Sequence, residues 1–353
     1  MLNVLLVILL ALLLPFFLVD GWMEFNTWQK RIHIGRWKNR KEWQLAVRKK
    51  AVSWLDNTPV VPVSDEKRLI LWDMLRGRYG NSNIQSWQYA GLLLGLGQEE
   101  ALDFHKTHEL ITQHYSVDNA LLMYVLYRKG ILNRNNLMEY AKESGLVDYE
   151  GTVPYRQQLP DIRFVDTIGL LVPFLVACGY EDKALNQIKE YNEALLSDVF
   201  PPHAYDVKKH LPLGIYDWSR GLGWYVLGII ETYELDGNRE RIVRLAREML
   251  KYQHADGGVG SMFFSPSRIE SSGTALLGLL FVKAFEITSN RAYLDAAKKA
   301  EGALMRITRR NGEVDYSQGD TKGIGMYSRR FDIMPFAQGM TLYLCNILNQ
   351  YEG

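Results

Sequence analysis

Apolar residues along the chain fall into two patterns. The first is an unbroken run from Val4 to Val19 with Pro15 inside it. Counted from Met1 to Trp22, it reaches about 20 residues, the length that crosses a bilayer as a helix. The second is a helical recurrence of apolar positions. It predicts helices over Glu42 to Leu55, Asp65 to Leu75, Ile84 to Leu96, Glu99 to Thr112, Asp118 to Arg128, Asn135 to Ser144, Val165 to Ala177, Lys183 to Leu195, Trp218 to Tyr233, Arg239 to Tyr252, Thr274 to Ile287, Arg291 to Thr308 and Met334 to Gln350. Turn residues separate them, as at Asn57-Thr-Pro59, Gly145, Pro201-Pro202, Asp256-Gly-Gly and Asn311-Gly, and strand signals are scarce.

Several of these segments are apolar over most of their circumference, as in Gly91-Leu-Leu-Leu-Gly-Leu and Ala275-Leu-Leu-Gly-Leu-Leu-Phe. Such helices are buried on more than one side, which suits an inner ring enclosed by an outer one. The expected fold is therefore all-α, an (α/α)6 barrel preceded by an N-terminal transmembrane anchor. A helical solenoid is the other arrangement the periodicity allows, although no fixed-length repeat is evident. The chain divides into a hydrophobic anchor or signal segment (1–22), a basic, Trp-containing juxtamembrane segment (23–41) and the barrel (42–353).

A cleavable signal would carry a basic start and a small-x-small site. Only the α-amino group precedes the run, and Val19-Asp20-Gly21 is a poor site, so an uncleaved single-pass anchor is the better reading. Lys30, Arg31, Arg36 and Lys38 follow it, then Arg40, Lys41 and Arg48 to Lys50. By the positive-inside rule that flank stays cytosolic and the body with it. A solvated basic helix that reports nothing about topology, with an extracytoplasmic body, is the alternative.

Length and charge narrow the field. A chain of 353 residues fits one large barrel. A net charge of +1 gives no basic face of the kind nucleic acid requires. Cys178 and Cys345 lie in apolar helical contexts, where a free cysteine behaves as a small hydrophobe, and no Cys/His spacing resembles a zinc site.

Two stretches interrupt the apolar pattern. Trp218-Ser-Arg220-Gly221-Leu-Gly223-Trp224-Tyr225 sets two tryptophans around an arginine, and Phe164-Val-Asp166-Thr-Ile-Gly opens an apolar helix with one aspartate. A carbohydrate site needs stacking platforms, an anion clamp and a proton donor, and these residues can supply them. Each also has an ordinary reading. Asp166 and Asp118 stand where helix caps stand, Trp218 and Trp224 could fill a core, and His203 in the Pro201-Pro202 loop needs no role. Arg220, if buried, needs an anionic partner; a substrate uronate would serve, as would Asp217 or Glu270. Gly221 and Gly223 follow no strand, so a dinucleotide loop fails its context.

Together with Tyr115-Ser-Val-Asp118-Asn, His203-Ala-Tyr205-Asp206, Glu270-Ser271-Ser272-Gly273 and Pro335-Phe-Ala-Gln338-Gly339, these motifs resemble the unsaturated glucuronyl and rhamnogalacturonyl hydrolases of glycoside hydrolase families 88 and 105. The motifs come in the family's order and span most of the chain after residue 80; Val117 departs from the acidic pair common before the Asp118 position. The resemblance implies the same barrel and a hydrolase. Asp166 would be the catalytic acid/base and Asp118 its partner, with His203, Trp218, Arg220, Trp224, Arg156 and Ser272 binding substrate. The implied substrate is an acidic oligosaccharide ending in a 4,5-unsaturated uronate, and no metal or organic cofactor is needed. Three rivals stand beside it: an inverting glycosidase using Asp118 or Glu270 as second acid, a sugar epimerase or isomerase needing paired histidines, and a non-catalytic, membrane-tethered carbohydrate-binding protein.

Overall fold

Glycines fasten the two ends of this fold together. The computed structural model describes residues 2–351 apart from 60, 63–67, 79–80, 83, 98–103 and 114–115. In chain order the helices are α1 (Leu2–Arg31), α2 (Arg40–Asp56), α3 (Ile70–Leu75), α4 (Ser86–Gly95), α5 (Phe104–Gln113), α6 (Ser116–Arg128), α7 (Arg134–Glu143), α8 (Asp166–Cys178), α9 (Glu181–Asn192), α10 (Ser219–Glu231), α11 (Asn238–Met249), α12 (Ser271–Thr288), α13 (Arg291–Arg306) and α14 (Pro335–Leu348). Helices α4, α6, α8, α10, α12 and α14 each pack on the next, and α14 packs back on α4, closing an inner ring. A Cβ added to Gly339 of α14 would overlap the Gly91 carbonyl of α4, and one on Gly95 would overlap the Gly339 carbonyl. Only glycine lets the first and last ring helices meet at this distance.

The ring helices are buried nearly all round, as the spread of their apolar residues predicts. Outside them lie α2, α5, α7, α9, α11 and α13, which bury one face and solvate the other. This is the expected (α/α)6 barrel. Helix boundaries fall close to those predicted. The first residues of two predicted helices, 65–67 and 99–103, lie outside the described residues, as does Tyr115 of the Asp118 motif. Cys178 and Cys345 are both free and buried.

All six ring helices begin at one end of the barrel, and the loops there carry the short strands. Strands β1 (Val61–Pro62) and β2 (Asn81–Ser82) pair with each other. An antiparallel sheet joins β3 (Ile162–Phe164), β4 (Ala204–Asp206) and β5 (Leu211–Leu213), with Tyr205 opposite Arg163 on one side and Pro212 on the other. A hairpin joins β6 (Ser317–Gln318) to β7 (Phe331–Asp332). Strands this short carry no readable two-residue alternation, so the sequence pattern does not announce them.

Helix α1 runs unbroken through residue 22 to Arg31. It is long and apolar enough to cross a membrane, and none of its apolar window is buried. Its last turns are fastened to the barrel. Arg31 Nε and Nη2 donate to the Asp315 carboxylate at 2.8 and 2.9 Å, and Nη2 also donates to the Phe331 carbonyl at 2.7 Å. Asp315 is itself buried and paired with Arg309 at 2.7 Å.

Candidate active site

A pocket of about 380 Å³ opens among the starts of the ring helices, within the range of small-ligand sites. Asp166 stands on its wall as the first residue of α8. The preceding cap position, Val165, already has helical dihedrals, and no side chain caps the helix. The Asp166 carboxylate is thus not spent on the helix end beyond its own amide, and its buried Oδ2 has no hydrogen-bond partner within the protein. Burial pushes its pKa up to about 7, with the charges of Asp118 and Asp320 adding to the rise, while its own amide and Arg220 work against it. A carboxyl group that is half protonated near neutrality can both give and take a proton.

Asp118 lies in the first turn of α6, buried behind the pocket wall. Tyr155 Oη donates to its Oδ1 at 2.6 Å, and Arg156 Nη1 approaches Oδ2 at 3.5 Å. Tyr155 and Arg156 themselves line the pocket, with the Arg156 guanidinium 4.0 Å above the Tyr155 ring. Asp118 therefore acts on the pocket through these two side chains and through its field on Asp166.

His203 is buried, contrary to the exposed-loop reading, because the residue after it begins β4 and turns its ring inward. It packs against Phe164, Trp218 and Tyr327 with ring centroids 5.6, 5.0 and 5.3 Å away. Burial lowers its pKa to about 4, so it is neutral at pH 7. Its Nδ1 accepts from the Gly325 amide at 3.3 Å, which leaves the proton on Nε2.

Trp218 and Trp224 both reach the pocket, from the cap and second turn of α10. Trp218 Nε1 donates to Gln318 Oε1 at 3.0 Å, fixing the indole. Trp224 packs edge-on against Trp87 at 5.4 Å and on Phe336 at 4.5 Å.

Arg220 touches the pocket, but most of its donors are taken inside the protein. Nε donates to Ser272 Oγ at 2.9 Å, and Nη2 to Glu270 Oε1 at 3.1 Å, to Ser317 Oγ at 3.2 Å and to the Gln318 carbonyl. Nη1 donates to the Gly319 carbonyl at 3.4 Å and lies 3.9 Å from Asp320. Of the alternatives left open by the sequence, the internal partner is the one present, and it is Glu270. Glu270 also caps α12 by accepting from the Gly273 amide at 2.5 Å. Ser272 requires a correction: it does not border the pocket. Its hydroxyl is fully buried and bonded to Glu270 at 2.8 Å and to Arg220, so it supports the wall from behind. Glu270 is equally withdrawn, which removes it as a second acid facing substrate.

Asp320, which no sequence motif singles out, lines the pocket from the β6–β7 connection together with Thr321, Lys322 and Gly323. Burial raises its pKa, against the pull of Arg220 and with a push from Asp118. In sequence, Gly319-Asp320-Thr reads as an ordinary loop. Trp87 and Gln85, also on the wall, read as filler at the start of a greasy helix.

No protein-family profile matches the chain, and no curated protein matches it. Solved structures do. A possible member of glycoside hydrolase family 105 from Klebsiella pneumoniae is 18% identical with a TM-score of 0.67, covering 89% of this chain and 94% of its own. The unsaturated glucuronyl hydrolase responsible for glycosaminoglycan degradation in Bacillus sp. GL1 is 16% identical with a TM-score of 0.60, covering 87% and 95%. A polysaccharide lyase is 15% identical with a TM-score of 0.58, covering 87% and 98%. These likenesses define the fold as that of the unsaturated glucuronyl hydrolases. The same fold also carries a lyase, so the reaction has to be argued from the site.

Proposed function

We propose that this protein is a glycoside hydrolase that removes a 4,5-unsaturated uronate from the non-reducing end of lyase-generated oligosaccharides. One observation carries the reading: Asp166, a partly protonated carboxyl group with one buried oxygen left unpartnered by the protein, stands on the wall of a pocket that Trp218, Trp224 and Trp87 also line. The C4=C5 bond and ring oxygen of such a uronate form a vinyl ether. Asp166 delivers its proton to C4, leaving an oxocarbenium-like centre at C5. Water adds at C5 and returns a proton to Asp166. The resulting hemiketal opens, and the glycosidic bond is lost with it. The chemistry differs from that of ordinary glycosidases, in which two carboxyl groups flank the anomeric carbon, and it needs no metal or organic cofactor.

The other residues take supporting roles. The indoles stack on sugar faces. His203, neutral with Nε2–H as donor, orients water or a sugar hydroxyl. Arg156 and Lys322 on the wall meet the uronate carboxylate, with the Nη1 edge of Arg220 adding to their field. Asp118 keeps the Asp166 proton in place and positions Tyr155 and Arg156. Purified protein incubated with a panel of lyase-generated oligosaccharides should abolish the ultraviolet absorbance of the conjugated ene-carboxylate. Equal rates on saturated glucuronides would replace this reading with ordinary glycoside hydrolysis; binding of the panel with no turnover would leave a carbohydrate-binding protein.

We further infer that α1 is an uncleaved anchor with the barrel on the cytosolic side. The support is its exposed apolar length and the basic residues that follow it. An alkaline phosphatase fused to the C-terminus should be inactive, and an active fusion would reverse the orientation.

A further inference from the structure

Outside the apolar run, seven exposed large apolar side chains cluster on two neighbouring elements, while the others are spread along the rest of the chain. On α1 they are Trp22, Phe25 and Trp28, and around α3 they are Leu69, Trp72, Met74 and Leu75. A soluble surface scatters such residues singly, whereas a contiguous set marks a binding face.

Two contacts place α3 at a definite height on α1. The Asp20 carboxylate accepts from the Leu69 and Ile70 amides at 2.6 and 2.9 Å, and the Phe16 and Trp72 rings lie 6.4 Å apart. Leu69 is held at φ 55°, a left-handed conformation unfavourable for leucine, and its amide is one of the two that Asp20 takes. Asp20 is the first charge after the apolar run, so it marks the end of the segment that fits in hydrocarbon. The geometry fixes the apolar residues of α3 at that same boundary.

The opposite faces of α1 are used differently. Asp20, Met23, Thr27 and Arg31, spaced three or four apart, face α3 and the mouth loops. Trp22 and Phe25 point away from them and Trp28 lies exposed to the side, with successive ring centroids 6.3 and 5.7 Å apart along the helix. Aromatic residues beyond the end of a spanning segment are the composition of a membrane–water interface. Arg68, Arg76 and Arg78 flank α3 in exposed positions, which suits anionic headgroups.

We propose that α3, with the Trp22, Phe25 and Trp28 face of α1, is a second membrane contact, a ledge that rests in the headgroup layer of an anionic phospholipid bilayer. The barrel is then held by two points and Arg31 rather than swinging on a tether. This rests on the reading of α1 as a membrane anchor.

The test uses full-length protein in nanodiscs of phosphatidylcholine and phosphatidylglycerol. Cys178 and Cys345 are buried, so single cysteines introduced by Leu75→Cys, Leu10→Cys or Tyr127→Cys accept an environment-sensitive fluorophore selectively. Position 127, in the last turn of α6 at the barrel end opposite the mouth, reports water. Interfacial helices sit about 5–10 Å into the headgroup and acyl boundary. The label at 75 should therefore be blue-shifted relative to 127, and quenched more by lipids carrying a nitroxide near the headgroup than by lipids carrying it near the chain end. A label at 75 that matches 127 while the label at 10 is quenched overturns the ledge alone. If neither 10 nor 75 is quenched, the anchor reading falls with it.

Discussion

Arg220 and Glu270 form a fully buried ion pair, Nη2 to Oε1 at 3.1 Å, joining the start of α10 to the cap of α12. Removing one partner of such a pair strands the other charge, which costs about 3–5 kcal/mol. Arg220→Met should therefore destabilise the fold by about that amount in denaturant titrations, and Arg220→Met with Glu270→Gln should recover part of it. Arg220 also restrains the pKa of Asp166, so any active Arg220→Met protein should have its basic limb shifted to higher pH.

Asp166→Asn should abolish turnover and stabilise the protein at neutral pH. The folded pKa of Asp166 is raised from 3.8 to about 7, so the folded chain holds a proton that the unfolded chain has released, and stability falls as pH rises between those values. At 1.36 kcal/mol per unit this reaches up to about 4 kcal/mol above pH 7. The melting temperature of Asp166→Asn should exceed that of the parent at pH 8, and the gap should close below pH 4.

His203 has the opposite sign. Its folded pKa is lowered from 6.5 to about 4, so stability is lost as pH falls through that window. In the parent the Asp166 and His203 slopes oppose each other between pH 4 and 6.5. In Asp166→Asn the His203 slope should stand alone, and melting temperature should climb with pH there. A flat profile in that variant would place His203 in contact with water.

Asp118 raises the pKa of Asp166 by its charge. Asp118→Asn should shift the basic limb of the pH–rate profile to lower pH and reduce kcat at neutrality, with the fold intact. An unchanged limb would separate the two aspartates.

Gly339→Ala should prevent clean closure of the ring, since its Cβ would overlap the Gly91 carbonyl. Overpacking of this kind costs about 1–3 kcal/mol, measurable by chemical denaturation; a neutral substitution would show that α4 and α14 can separate.

The ring was legible in the sequence because Val165 to Ala177 and Thr274 to Ile287 are apolar on all sides, and only a doubly enclosed helix tolerates that. Asp166 and the α10 tryptophans were legible as pocket residues because each interrupts its local pattern, whereas His203 was picked out only through the family resemblance. The Arg220–Glu270 partnership was one of several open alternatives, since residues fifty positions apart are brought together only by ring closure. Asp320 had no signal, because a loop aspartate is unremarkable until Arg220 and Asp118 are placed beside it. The docked end of α1 was hidden for a similar reason: Arg31 reads as one of many basic flanking residues, and its buried partner Asp315 lies nearly three hundred positions away.

That partnership decides where the chain can be shortened. A soluble form begun at residue 42 would discard Arg31 and leave the buried Asp315 with Arg309 as its remaining guanidinium partner. One begun at Met23 would shed the apolar run and keep the clasp on the β6–β7 hairpin, whose far end forms the pocket wall at Asp320 to Gly323. The shorter truncation should yield the better-ordered pocket, although Arg31 is far from the acid that would do the chemistry.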